Sequence, residues 1–86
     1  MASYKLRIAK RFYKDIKKID QKDAARIYKA VVKLANNPDP PAAKQLRNTT
    51  MRSLRVGQYR VLFEIQRAEL IVYVFKAGHR KDVYRK

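Results

Sequence analysis

The stretch Leu54-Arg55-Val56-Gly57-Gln58-Tyr59-Arg60-Val61-Leu62-Phe63-Glu64-Ile65 decides how this chain folds. Tyr59, Val61, Phe63 and Ile65 recur at every second position, the period of a strand with one buried face. Leu54 and Val56 carry the same alternation before Val56-Gly57-Gln58, which is short enough to close a hairpin. The alternation also sorts the charges. Arg60 points away from Tyr59, Val61 and Phe63, and Arg55 away from Leu54 and Val56, so both arginines are expected on the sheet face that the core leaves uncovered.

Downstream, Gln66-Arg67-Ala68 reads as a second hairpin loop, followed by a strand over residues 70–76. That strand is apolar at consecutive positions, which predicts a central strand covered on both faces. Gly78 ends it, and residues 79–86 are mostly charged. Upstream, residues 36–50 begin with Asn36, Asn37, Pro38, Pro40 and Pro41 and lack a clear period, so they read as a connecting loop. Before it, Ala24, Ile27, Tyr28, Val31, Leu34 and Ala35 form one helical stripe, opened by Asp20 as N-cap with Asp23 three residues on. Phe12, Ile16 and Ile19 mark a shorter helix whose outer positions are Lys10, Arg11, Lys14, Lys17 and Lys18. Tyr4, Leu6 and Ile8 alternate with Lys5 and Arg7 as an opening strand. The order strand, helix, helix, three-stranded antiparallel meander predicts an α+β domain over residues 1–86, a single sheet with both helices packed on one face.

Composition narrows the function. The 86 residues carry 22 Lys and Arg against 7 Asp and Glu, a formal net charge of +15, yet 47% are hydrophobic, so the chain folds rather than serving as a basic tail. So small a domain buries only about 60% of its unfolded surface and is marginally stable alone, a deficit that an acidic partner would offset. Without cysteine there is no disulfide framework, zinc ribbon or thiol nucleophile, and a cytoplasmic setting is the default expectation. No apolar run approaches the roughly 20 residues of a membrane span, and the basic N-terminus lacks the apolar core of a signal peptide. The remaining attraction is to a polyanion, which rewards clustered Lys and Arg by releasing counterions.

Between Pro40 and Phe63 the charges are Lys44, Arg47, Arg52, Arg55 and Arg60, with no acidic residue; the C-terminus adds Lys76, Arg80, Lys81, Arg85 and Lys86 against Asp82. Arginine binds phosphate through two parallel N–H bonds, which lysine does not do. His79 is the only histidine, so a paired-histidine ribonuclease mechanism is excluded and His79 is expected to position or contact phosphate. Five of the six tyrosines read as core or half-buried packing groups; Tyr84 stands apart among cations, where it can stack on a base or lose its proton more readily. The carboxylates are too scattered for a two-metal nuclease, so neither metal nor cofactor is expected.

The opening hairpin, followed about a dozen residues later by Ala77-Gly78-His79-Arg80-Lys81-Asp82-Val83-Tyr84, resembles the RelE-type toxins of toxin–antitoxin pairs. The helix hairpin, the Pro38-Asp39-Pro40 turn and Leu46-Arg47 fit the same resemblance, which covers nearly the whole chain. It implies a ribosome-dependent, metal-independent endoribonuclease that cuts messenger RNA in the A site, with the ribose 2′-hydroxyl as nucleophile, and that is held inactive in a hetero-oligomer with a cognate antitoxin. By motif position Arg60 is similar to the family's phosphate-binding arginine, Arg80 to its arginine near the leaving group, and Tyr84 to its nucleotide-stacking or activating tyrosine. Arg55 and Ser53 stand where the best-known members carry lysines, and an arginine, which keeps its proton at neutral pH, is a poor general base, so the base is expected to be Tyr84, water or His79. Arg55, Arg60, Arg80 and Tyr84 are thus the expected catalytic set, with Lys44, Arg47, Arg52, Lys76, His79, Lys81 and Arg85 expected to contact RNA or the ribosome. Two other readings compete: a ParE-type inhibitor of DNA gyrase, which shares the tyrosine-arginine hairpin but usually lacks the terminal arginine and tyrosine, and a non-catalytic basic RNA- or ribosome-binding protein.

Overall fold

The structure, a computed structural model, describes residues 3–79. Its elements in chain order are β1 (Lys5–Ile8), α1 (Lys10–Lys17), α2 (Gln21–Lys33), β2 (Ala43–Gln45), β3 (Arg52–Val56), β4 (Tyr59–Gln66) and β5 (Ile71–His79). The strands form one sheet in the order β1-β5-β4-β3-β2, with β1 parallel to β5 and the other pairings antiparallel. Both helices lie on one face, and the α+β architecture is the one the sequence predicts.

Local chemistry explains the boundaries. Asp20 caps α2, its carboxylate accepting from the Lys22 amide at 3.1 Å, and satisfies a donor that the helix start leaves orphaned. Gly57 adopts φ +59 at the first corner of the β3–β4 turn, a left-handed backbone that glycine adopts without steric cost. Phe12 from α1, Ile27 and Val31 from α2 and Leu34 at the α2 C-cap meet Leu54, Val61, Phe63, Val72, Val74 and Ala77 from the sheet in one core. Burying each large side chain of this set stabilises the fold by about 1.5–3 kcal/mol before conformational entropy is charged against it.

Four expectations are corrected. The segment 36–50 is not loop throughout: Ala43–Gln45 pairs with Arg52–Leu54 as a fifth strand. The last strand starts at Ile71, because Leu70 takes φ 56 in the preceding turn, and it is interior to the sheet but covered by helices on one face only. Val72, Val74 and Ala77 are buried, whereas Tyr73 and Phe75 are half-buried on the outer face. Tyr28 falls outside the buried stripe of α2 and is about half exposed, as is Tyr13, which meets the Phe12 ring edge-on.

A β-bulge interrupts the central pairing: Leu62 opposes Lys76 while Phe63 opposes Val74, which leaves Phe75 as the extra residue of β5. Asp15 of α1 supports the strand just beyond it, its Oδ2 accepting from the Ala77 amide at 3.1 Å. The bulge therefore fixes where β5 passes Arg60, whose register partner is Gly78.

Candidate functional site

The outer face of the sheet gathers cations because the strands carry them at alternate positions. Arg55 of β3 and Arg60 of β4 are direct register partners, and Lys44 of β2 opposes Ser53 of β3. Directly opposed residues have Cβ atoms about 5 Å apart, a spacing at which like charges repel. All four residues, with Pro41, Ala42 and Leu46, line a concavity of about 450 Å³. Ser53 is 4% exposed and forms part of its floor, while Arg55 is exposed at its rim.

Arg60 is the most constrained of these groups. Its Nη1 is sealed from solvent and has no hydrogen-bond partner among the described residues. A buried guanidinium N–H with nothing to donate to costs about 1–3 kcal/mol, and the neighbouring Arg55 adds repulsion. An anion in the concavity offsets the repulsion between the two guanidinium groups. Arginines in this arrangement can grip a phosphate with two donors each and stabilise charge that builds on it.

Acidic groups are kept elsewhere. Glu64 is the single acid in the five described strands, and its carboxylate accepts a hydrogen bond from the Thr50 hydroxyl. Asp15 is spent on Ala77, Asp20 on the helix cap, and Asp23 on Arg26 at 3.9 Å. Asp39 bridges Arg52 at 3.0 Å and Arg67 at 2.8 Å. Its hydrogen bond, and then its charge, hold the Arg67 guanidinium above its ordinary pKa. Among the described residues no group of three His, Asp or Glu side chains is placed to hold a metal ion.

Of the residues singled out in the sequence, the structure thus brings Lys44, Arg55 and Arg60 together. Arg47 is exposed in the β2–β3 connection. Arg52 opposes Phe63, on the helix-covered side of the sheet, and is ion-paired to Asp39, so it does not join the cluster. Its parity with Leu54 and Val56 is the sequence signal for that placement. His79 pairs with Tyr59, ring centroids 6.0 Å apart in a T-shaped contact, and with Lys76 borders a different concavity beside Arg11, Asp15 and Lys18 of α1 and the turn after it. Arg80, Lys81, Tyr84 and Arg85 lie outside the described residues. No described helix is long and apolar enough to cross a membrane.

Comparison with known proteins adds an independent line. The family described as ParE toxin of type II toxin-antitoxin system, parDE, matches residues 6–84. The toxin–antitoxin complex RelBE2 of Mycobacterium tuberculosis contains a chain 25% identical, superposing with a TM-score of 0.80 over 91% of this chain and 99% of that one. The archaeal RelE–RelB complex of Pyrococcus horikoshii is similar at 20% identity and a TM-score of 0.81, covering 93% and 98% of the two chains. YafQ of E. coli is similar at 14% identity and a TM-score of 0.75, covering 94% and 98%. At these last two identities the likeness speaks for the fold alone. Among curated proteins the search gave no match.

Proposed function

The chain belongs to the ParE toxin family of type II toxin–antitoxin systems, within the RelE/ParE superfamily, and from that premise we propose that it is a ribosome-dependent endoribonuclease that cuts messenger RNA in the A site. The observation that carries this reading is the facing pair Arg55 and Arg60 on the outer sheet face, in a concavity that no carboxylate lines among the described residues. A nuclease of this kind needs little more than cations around a phosphate. The ribose 2′-oxygen attacks the adjacent phosphorus as its proton departs, the bond to the 5′-oxygen breaks, and that oxygen takes up a proton. The products are a 2′,3′-cyclic phosphate and a 5′-hydroxyl.

In this scheme Arg60 and Arg55 hold the phosphate and stabilise the charge of the phosphorane. Neither serves as the base at neutral pH, since a guanidinium keeps its proton below pH ~12. Proton transfer is assigned to Tyr84 or water, with Arg80 at the leaving oxygen, on the strength of their motif positions. Lys44 and the exposed Arg47 extend the cationic surface toward flanking phosphates.

The partner is a cognate antitoxin, as in the RelBE2 and RelE–RelB complexes to which the chain is similar. With +15 on 86 residues the complementary segment is acidic. An amphipathic form of it would cover the sheet face or the helix hairpin, where Tyr13, Tyr28 and Val32 are exposed among lysines.

A second reading, inhibition of DNA gyrase, is favoured by the family's ParE description. The two separate cleanly in one pair of assays. Purified protein added to a translating extract gives new message ends in the ribosomal A site under the nuclease reading and leaves gyrase supercoiling intact. Intact messages with blocked supercoiling would replace it by the gyrase reading, and neither effect would leave only a binding protein.

A further inference from the structure

The outer face carries a second feature, at its other edge. Tyr73 and Phe75 of β5 lie with near-parallel rings, 16° between planes and 6.0 Å between centroids. Arg7 of β1 is the register partner of Tyr73, and Lys5 is that of Ile71, so both cations stand on the neighbouring strand of the same face. Arg7 and Lys5 are exposed, and together with Tyr73 and Phe75 they line one shallow groove along the β1 edge. The one strand-borne acid nearby, Glu64, opposes Tyr73 but turns its carboxylate to Thr50 on the far side.

An aromatic pair on a sheet face usually serves as packing surface for a helix or loop, and among the described residues no helix covers this one. The groove beside the rings combines Leu6, Ile8 and Ala9 with the cations Lys5 and Arg7. Flat rings flanked by guanidinium and ammonium groups are what a single-stranded nucleic acid needs: each base has a π face for the ring, and each phosphate a cation. Arg60 opposes Gly78, Glu64 opposes Tyr73 and Phe75 falls between the partners of Leu62 and Phe63, so the rings lie about 8–13 Å along the strands from Arg60.

We propose that Tyr73 and Phe75, flanked by Lys5 and Arg7, form a base-stacking subsite that holds single-stranded RNA a few nucleotides from the phosphate gripped by Arg55 and Arg60. The proposal rests on the RNA-directed reading above and specifies how the strand is held there. Stacking is indifferent to base identity, so the subsite sets the course of the strand across the sheet without imposing a sequence.

The chain lacks tryptophan, so Phe75→Trp installs a unique fluorescent reporter. The probe is a short 2′-O-methyl oligoribonucleotide, which lacks the nucleophile and stays whole, titrated against the full chain. Saturable quenching of the tryptophan is expected. In anisotropy titrations, Tyr73→Leu with Phe75→Leu weakens binding roughly five- to a hundredfold. Lys5→Gln with Arg7→Gln lowers the slope of log affinity against log salt by about 1.4 for two lost contacts. Tyr73→Phe, which keeps the ring, binds as the parent does. Where the leucines unfold the sheet, the tryptophan reporter decides. An unquenched tryptophan at saturation, or parental affinity in a folded leucine variant, overturns the subsite. Because this readout needs no cleavage, a chain that stacks the oligonucleotide but leaves messages whole loses the nuclease reading and keeps the subsite. A leucine variant that binds and cuts as the parent does loses the subsite and keeps the nuclease.

Discussion

Arg60 stands directly opposite a second arginine, and its Nη1 is cut off from water with no hydrogen-bond partner among the described residues. That arrangement opposes folding. Arg60→Met is therefore expected to leave stability unchanged or raise it by up to ~1 kcal/mol in urea unfolding, since it removes an unsatisfied donor and a like charge. The same substitution is expected to reduce message cleavage about 100-fold, the scale of losing one charge-stabilising group. Asp39→Asn should do the reverse, lowering the thermal midpoint by a few degrees through loss of the Arg52 and Arg67 bridges while leaving cleavage intact. Asp39 raises the Arg67 pKa, so on the Arg67 side this contribution is fully present below the ordinary guanidinium range and is lost only as pH climbs past the raised value. Strand parity made Arg55 and Arg60 legible as outward-facing, and the same parity sets Arg52 with Leu54 and Val56 on the inner side. The contact of His79 with Tyr59 depends on a bulge, which single-sequence periodicity does not encode.

At the scale of elements, the helices and the long strands follow from their periods, whereas the short and irregular pieces do not. β2 has three residues, too few to establish an alternation, and it follows a proline cluster that reads as loop. It forms because β3 offers it an edge. The apolar run of β5 suggests cover on both faces, but Tyr73 and Phe75 are amphipathic or aromatic surface groups. The bulge and its support define the next prediction. Asp15→Ala deprives the Ala77 amide of its acceptor and is expected to destabilise the chain by about 1–3 kcal/mol, with faster hydrogen exchange at that amide. An unchanged exchange rate would show that the carboxylate does not hold β5. The turn before β5 gives the opposite case: Leu70 is exposed and left-handed, so Leu70→Gly should raise stability by up to ~1 kcal/mol in urea unfolding.

Across the described residues, Asp20 caps α2, Asp39 bridges two arginines and Asp15 ties α1 to the sheet, while no carboxylate lines the concavity of Arg55 and Arg60. Self-repulsion from +15 on a small core makes the free chain sensitive to screening. Its thermal midpoint is expected to rise from low salt to 0.1 M, where the Debye length falls to about 10 Å. A midpoint that falls would mean that attractive pairs outweigh the excess charge. Screening of this kind is a weak substitute for an acidic partner, which would stabilise the folded chain by mass action.

The most direct test maps message ends in a translating extract with the parent chain and with folded Arg60→Met side by side. The parent is predicted to give A-site cuts ending in a 2′,3′-cyclic phosphate, and Arg60→Met about 100-fold fewer. Equal cleavage by the two proteins would contradict the assignment of the site to the outer-face arginines, and intact messages with both would contradict the nuclease itself.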